Sequence, residues 1–260
     1  MKIMTIAVIL FLILPVFVIV PMSFSSAQYL TFPPPGFSTR WYEKFFGDEQ
    51  WLESLRLSLT VGVLTTLLSL VLGGMAALGL SKSRFRGKAA VQNFLLLPMV
   101  MPTIIVAIAV YGFQSRIGLI GTTTGLVVAH TILASPFIVV TLLSALASID
   151  PNLENAALSL GARPATAFFR VTLPVIKPSL LSGALFAFIT SFDEIVVTLF
   201  ISGVSAITLP KKMWDGVRTQ IDPTISAISS ILIVGIVSFL VAAHLANLRR
   251  EVHGVKEPSS

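Results

Sequence analysis

Six long apolar runs separated by short polar stretches dominate the sequence. The runs cover residues 3–24, 55–80, 90–114, 122–147, 179–202 and 224–247. Each run is long enough to supply the ~20 apolar residues that a helix needs to cross a bilayer. Because a chain in lipid must satisfy its backbone polar groups internally, the runs are expected to be helices. The pattern predicts an all-α membrane protein with six transmembrane helices in one domain, residues 1–260.

Prolines in one run and a basic residue before another change how these two runs are interpreted. Pro98 and Pro102 lie within the run 90–114 and predict a kinked helix. The run 3–24, which follows the basic residue Lys2, has an alternative interpretation as a cleaved signal peptide. Its length favours a retained transmembrane helix.

The composition excludes several classes of protein. Of 260 residues, 55% are hydrophobic and only 12% are charged, whereas ordinary globular domains carry about 25% charged residues. The chain has no cysteine, which excludes disulfides, thiolate metal sites and cysteine nucleophiles. It also lacks a Gly-rich phosphate loop followed by Lys-Ser or Lys-Thr, so it is not predicted to hydrolyse a nucleotide itself.

The basic residues predict how the runs are oriented in the membrane. Four of them, and no acid, lie in the short stretch 81–88, and a basic loop between two spans is typical of the cytoplasmic side. With that loop inside, eleven of the 18 Lys and Arg residues are cytoplasmic and seven are external. This split predicts that both termini are cytoplasmic. It accounts for the net charge of +6 better than nucleic-acid binding does.

The stretch 150–178, between the fourth and fifth runs, has the pattern helix, glycine turn, helix. Asp150 is suited to cap a first helix, and Gly161 to be the left-handed residue that ends it. A second short helix is expected to begin near Pro164 and to stop at Pro174. The side chains that characterise the two helices are Ala156, Ala157, Phe168 and Phe169. Small residues on one helix and aromatic residues on the other predict a surface that receives a partner.

This stretch resembles the cytoplasmic loop of membrane subunits of ATP-binding-cassette importers. In that family the loop reads Glu-Ala-Ala, three residues, Gly, nine residues, Ile, one residue, Leu-Pro. The matching residues here are Asn155, Ala156, Ala157, Gly161, Val171, Leu173 and Pro174. One departure is that Asn155 holds the usual Glu position, while the glutamate lies one place earlier, at Glu154.

The resemblance implies that the loop couples the chain to an ATPase subunit. The residues implied in coupling are Glu154, Asn155, Ala156, Ala157, Gly161, Phe168, Phe169, Leu173 and Pro174. The alternative is an ordinary amphipathic connector between two membrane helices.

Two adjacent acids, Asp193 and Glu194, interrupt the fifth run. An ionised carboxylate at the bilayer centre costs about 2.5–3.5 kcal/mol, so such residues face protein, water or cations. We expect Phe192, Asp193 and Glu194 to line a translocation pathway that favours a cationic solute. The alternative is that the acids form a helix cap or a polar contact between subunits.

One histidine, His130, lies deep in the fourth run. Ionisable residues within a membrane span are candidates for function. A neutral imidazole bonded to a neighbouring Ser or Thr is nevertheless the favoured interpretation.

Two further stretches narrow the resemblance. Residues 32–37 (Phe-Pro-Pro-Pro-Gly-Phe) and residues 191–194 (Ser-Phe-Asp-Glu), with the following residues 199–203, are similar to the matching stretches of permeases for spermidine, putrescine and related solutes. The resemblance therefore implies a permease subunit in a bacterial inner membrane that moves a small cationic or nitrogenous solute.

That family also implies partners. The chain would pair with a second permease subunit, identical or different. Two cytoplasmic ATPase subunits would bind ATP and magnesium, and a periplasmic solute-binding protein would deliver the solute. No cofactor and no metal are expected on this chain itself, and it is not expected to be an enzyme.

Three other functions fit parts of the pattern. A secondary transporter or channel would use Asp193, Glu194 and His130 as a proton or cation relay. An intramembrane enzyme has less support, since the sequence has no nucleophile motif of the type Gly-x-Ser-x-Gly. The third alternative keeps the importer and changes its cargo to an amino acid, an opine or an inorganic ion.

Overall fold

The computed structural model describes residues 2–219 and 223–254, which are mostly helical. Its helices are α1 (Lys2–Ser23), α2 (Arg40–Gly47), α3 (Glu49–Lys82), α4 (Lys88–Val100), α5 (Thr103–Arg116), α6 (Thr123–Ala147), α7 (Pro151–Ser159), α8 (Pro164–Ala167), α9 (Leu173–Phe192), α10 (Val196–Ile201), α11 (Leu209–Thr219) and α12 (Thr224–Gly254). The all-α fold class is confirmed. Residues 255–260, which the predicted topology places in the cytoplasm, lie outside the described residues.

Several of these helices are suited to a bilayer. Within the described part of the chain, the helices long and apolar enough to cross are Met4–Ser23, Glu49–Lys82, Thr123–Ala147 and Pro164–Phe192. A fifth crossing arises if α4 and α5, which meet at an angle of 104°, form one broken span. The start of α12, Thr224–Ser238, is a shorter apolar helix. The number six for the spans stays a prediction.

The third run is a bent pair of helices rather than one kinked helix over 90–114. α4 ends at Val100, and Met101 is extended (φ −72°, ψ 144°) directly before Pro102. A proline disfavours the helical conformation in the residue before it and has no N–H to continue the helix. The sequence pattern showed the prolines but underestimated the size of the bend.

The fifth run is also broken. The sequence predicts one helix over 179–202, but α9 ends at Phe192 and α10 begins at Val196. Residues 193–195, which include both acids, therefore lie between two helices.

The sequence predicts that the second helix of the 150–178 segment stops at Pro174. In the structure this helix continues past Pro174. α8, a π-helical turn over Phe168–Thr172 and α9 follow one another without a gap, forming one helix of 29 residues. In the π turn, the Leu173 N–H donates to the carbonyl of Phe168, five residues back. This wider turn displaces the regular hydrogen-bond pattern and so accommodates a proline in a continuing helix.

The structure divides into two compact units. The first is built from the two ends of the described chain, where α1 and α2 pack against α12. Trp41 of α2 is buried, and its Nε1–H donates to the carbonyl of Ser25 at 2.8 Å. A buried indole with a satisfied N–H fixes this aromatic segment in the unit.

The second unit, Glu53–Lys212, has two hydrophobic clusters. The first cluster joins α5, α6 and α10 and includes Val110, Leu126, Val197 and Ile201. The second joins α3, α6 and α9 and includes Ala77, Ile138, Ile176 and Ala187. The two halves of the fifth run are therefore held in different clusters.

Close packing on α6 depends on glycines that face Ile138. A Cβ on Gly73 of α3 would lie 2.9 Å from Ile138 Cβ, and a Cβ on Gly183 of α9 would lie 3.2 Å from Ile138 Cδ1. Small residues allow membrane helices to approach this closely.

We expect Gly73→Ala to destabilise the protein by about 1–3 kcal/mol, because the methyl group overpacks the contact with Ile138. Gly79→Ala on the same helix is the control, since a Cβ there meets nothing within 4 Å; the better helix propensity of alanine should make it neutral or stabilising by up to ~1 kcal/mol. Unfolding in detergent measures both. Equal stability changes in the two variants would contradict this packing.

Candidate functional site

The segment 150–174, named here the coupling elbow, has defined ends to its first helix. The Asp150 side chain accepts from the Asn152 N–H at 2.9 Å and caps α7. Gly161 follows with φ +87°, and the Ala162 N–H donates to the carbonyl of Ala157 at 3.1 Å. This is the bonding of a Schellman stop, in which glycine holds the left-handed position. The backbone geometry thus turns the chain sharply from α7 toward α8.

The coupling elbow exposes apolar side chains. Leu160 is 89% exposed and Phe169 is 63% exposed. The rings of Phe168 and Phe169 meet edge to face, with centroids 5.2 Å apart. Ala156 is also exposed, whereas Ala157 is half-buried. Exposed apolar patches on a protein surface mark interaction sites.

Glu154 ties the coupling elbow to the end of α3. Lys82 Nζ donates to Glu154 Oε1 at 2.5 Å, and Thr172 Oγ1 lies 3.4 Å from Glu154 Oε2. Asn155, which holds the family's usual Glu position, is exposed. The basic loop after Lys82 therefore lies at the same end of the unit as the elbow. Sequence reasoning missed this pair because 72 residues separate its partners.

The base of the coupling elbow is anchored in the second cluster. Thr172 and Ile176 are buried, and Leu173 packs against the cluster from its edge. Pro174 is exposed. From this point α9 continues to Phe192, so the second helix of the elbow and α9 are one continuous helix.

At the other end of α9, the two acids have different environments. Glu194 Oε1 accepts from the Val197 N–H at 2.8 Å, so this acid caps α10. A carboxylate at a helix N-terminus is favourable because it pairs an unbonded N–H and meets the positive end of the helix dipole. Asp193 is exposed. The half-buried Phe192 stacks on Phe188, with ring centroids 5.7 Å apart.

His130 lies beside this break. The ring is 1% exposed, with Nδ1 3.0 Å from Ser191 Oγ and Nε2 3.0 Å from Thr198 Oγ1. The expected bonding of the imidazole to neighbouring Ser and Thr side chains is confirmed. Local sequence patterns do not indicate which hydroxyls bond the ring, because these hydroxyls belong to other helices.

The structure does not bring the two groups of candidate residues together. The coupling elbow and the acids at 193–194 lie at opposite ends of α9, which has 20 residues and is therefore about 30 Å long. Among the side chains that the structure describes, no three His, Asp or Glu groups come together as a metal site. The helix α9 connects the two groups directly.

A comparison with protein families matches residues 69–251 to the model described as "Binding-protein-dependent transport system inner membrane component". The chain belongs to this family of importer permeases. It is a multi-pass inner-membrane protein and a permease component rather than an enzyme.

Relatives of known name agree with this placement. The spermidine/putrescine transport system permease protein PotC of Haemophilus influenzae is 32% identical, over 90% of this chain and 91% of that protein. The putrescine transport system permease protein PotI of Escherichia coli is 34% identical, over 88% and 85% respectively. The molybdenum transport system permease protein ModB of Mycobacterium bovis is 32% identical, over 72% and 76%. The chain is thus homologous to permease subunits of polyamine importers.

Solved structures share the fold. A bacterial ABC transporter involved in the import of the acidic polysaccharide alginate matches with a TM-score of 0.69 and 16% identity, covering 95% of this chain and 93% of that one. The MetNI methionine ABC transporter matches with a TM-score of 0.59 and 21% identity, over 79% and 99%. At these identities the likeness concerns the fold alone.

We expect Gly161→Ala to destabilise the coupling elbow by about 1–2 kcal/mol, because φ +87° is unfavourable for a residue with a Cβ. Gly161→Asn is the matched comparison and should be milder, since Asn visits the left-handed region more readily. Hydrogen exchange of the α7 amides measures the change. If both variants exchange like the unmodified protein, the left-handed stop does not stabilise the elbow.

Proposed function

We propose that this chain is the permease subunit of an ATP-driven importer for a small cationic solute of the polyamine type. The observation that carries the proposal is its similarity, over about nine-tenths of its length, to permeases named for spermidine and putrescine. The exposed carboxylate of Asp193, at a break within the apolar fifth run, supports a cationic cargo. A cargo with positive charges offsets the cost of placing an acid at membrane depth.

The coupling elbow receives a cytoplasmic ATPase subunit in this proposal. Its support is the exposed apolar surface around Leu160 and Phe169, together with the basic loop that the pair Lys82–Glu154 places at the same end. A second permease subunit, a second ATPase and a periplasmic solute-binding protein complete the importer. Six spans with both termini cytoplasmic remain the proposed topology. ATP and magnesium bind to the ATPase subunits.

Coupling follows from the continuity of the helix Pro164–Phe192. When the ATPase subunits close around ATP, they move the docked elbow, and the attached helix carries that movement to the break at 193–195. The pathway then opens outward and accepts solute, and it returns to the inward state after hydrolysis. Such a cycle requires that each ligand bind the two states with different affinity.

The alternative functions differ in whether they need an ATPase and in the charge of their cargo. Family membership favours an ATP-driven importer over a secondary transporter or channel. The relative named for molybdenum makes an inorganic cargo the specific competitor. An exposed Asp193 repels an oxyanion such as molybdate and attracts a polyamine, so charge favours the polyamine.

Uptake by the reconstituted assembly tests the proposed cargo. Proteoliposomes that contain the permease, its partner subunits and ATP should accumulate labelled putrescine or spermidine only in the presence of the solute-binding protein. Excess molybdate or a neutral amino acid should not compete. ATP-dependent uptake of molybdate without uptake of either polyamine would overturn the proposal.

We expect Asp193→Asn to weaken the apparent affinity for putrescine about tenfold or more, because an ion pair to the cationic solute is lost. Asp193→Glu is the control and should retain most of the affinity, since it keeps the charge. Concentration-dependent uptake measures both. Neutralising Asp193 and Glu194 together without any effect on transport would end the idea that the break lines the pathway.

Replacing Ala156 and Ala157 together by Leu should uncouple transport from ATP hydrolysis, because bulky side chains prevent the close approach that small residues allow. Uptake should fall severalfold relative to ATP turnover, which is measured in the same proteoliposomes. Gly79→Ala, on α3, serves as the matched control. Unchanged coupling in the double variant, with the ATPase still bound, would count against the elbow's role.

A further inference from the structure

One imidazole ring bridges the break in the fifth run from the side. Ser191 belongs to the last turn of α9 and Thr198 to the first turn of α10, and both hydroxyls lie 3.0 Å from ring nitrogens of His130. All three side chains are at most 4% exposed. His130 thus connects two half-helices across residues 193–195, where the Asp193 N–H still belongs to the hydrogen-bond pattern of α9 and the Ile195 carbonyl already belongs to that of α10.

The hydroxyl groups set the order of donors around the ring. Thr198 Oγ1 donates to the carbonyl of Glu194 at 2.9 Å, so it is left to accept from the Nε2–H of His130. Nδ1 then accepts the hydrogen of the Ser191 hydroxyl. The chain of bonds therefore runs from α9 through α6 to Thr198 of α10 and then to the Glu194 carbonyl, with both nitrogens of the ring satisfied.

The far ends of the two half-helices are fixed independently of His130. α9 packs along α6 and is held in the second hydrophobic cluster. α10 is held in the first cluster, and its end is tied to the turn between α5 and α6, where the Gly121 N–H donates to the carbonyl of Ile201 at 2.8 Å. The place where the two halves can change their relative orientation is therefore the break itself, next to His130.

We propose that His130 is a positioning residue, which holds α9 and α10 in one relative orientation by bonding Ser191 and Thr198 and so presents the Asp193 carboxylate at the break. The inference rests on the proposed function for the role of Asp193. The joint between α9 and α10, which is formed by His130, Ser191 and Thr198, is defined by the geometry and is tested without any cargo.

A distance measurement on the assembled importer tests the joint. The chain has no cysteine, so Leu181→Cys and Val204→Cys, at sites that are 63% and 94% exposed, carry the only two spin labels when the partner subunits are free of cysteine. Double electron–electron resonance should give one narrow distance. His130→Ala should broaden or shift that distribution, and His130→Gln, which keeps one hydrogen-bonding end, should restore part of it.

Thr131→Val is the matched control, because the Thr131 hydroxyl is also buried on α6 but bonds the carbonyl of Val127 in its own helix. It should leave the distance unchanged. If His130→Ala does not assemble, the single and double variants of Ser191→Ala and Thr198→Val supply the same test. They should act non-additively, because each breaks the same bridge. An unchanged distance in all bridge variants, or an equal change in Thr131→Val, would overturn the proposal.

Putrescine uptake separates this inference from the proposed function. His130→Ala should raise the KM for putrescine about tenfold, because a displaced Asp193 loses its ion pair with the cationic solute, and the effect on kcat should be smaller. A changed distance with unaltered KM would overturn the presentation of Asp193. If the unmodified importer takes up no putrescine, but the distance between the labels is narrow only when His130 is present, the proposed cargo is contradicted and the joint at His130 is supported.

Discussion

Backbone hydrogen bonding in a medium without water is the constraint on which this structure depends. A polar backbone group left unpaired in lipid costs several kcal/mol, so helices can be interrupted only where other groups replace the missing bonds. The fifth run is interrupted at residues 193–195, and the replacements are present there. The Glu194 carboxylate accepts from the Val197 N–H, and the Thr198 hydroxyl donates to the Glu194 carbonyl. A carboxylate that is unfavourable within a continuous membrane helix thus stabilises the start of the next helix.

In the proposed importer, α9 is the helix through which closure of the ATPase subunits reaches the break. A π turn carries the chain through Pro174, so the coupling elbow continues directly into α9. The elbow is attached at its base to the second cluster and through Glu154 to Lys82. An exposed ion pair contributes only about 0.2–1 kcal/mol, so the buried base is the stronger attachment. The ion pair between Lys82 and Glu154 can therefore break while the connection of the elbow to α9 stays intact.

The sequence was sufficient for the fold class and for the local signals, and insufficient for contacts between distant residues. The cap at Asp150 and the left-handed Gly161 depend on neighbours in the chain, so their residue types predict them. The continuation of the helix through Pro174 depends on a π turn, which the hydrophobic periodicity of the sequence does not predict. The break after Phe192 was hidden because residues on both sides of it are apolar. Its partner His130 lies 61 residues away from Ser191, beyond the reach of local patterns.

The sidedness and docking of the coupling elbow test the account most directly. Leu160, which is 89% exposed, is replaced by cysteine in a chain that has no other thiol. A membrane-impermeant maleimide should label Leu160→Cys in inside-out vesicles and not in right-side-out vesicles, and bound ATPase subunits should protect it. Labelling from the outer face, or full labelling in the assembled importer, would contradict an elbow that docks on a cytoplasmic ATPase.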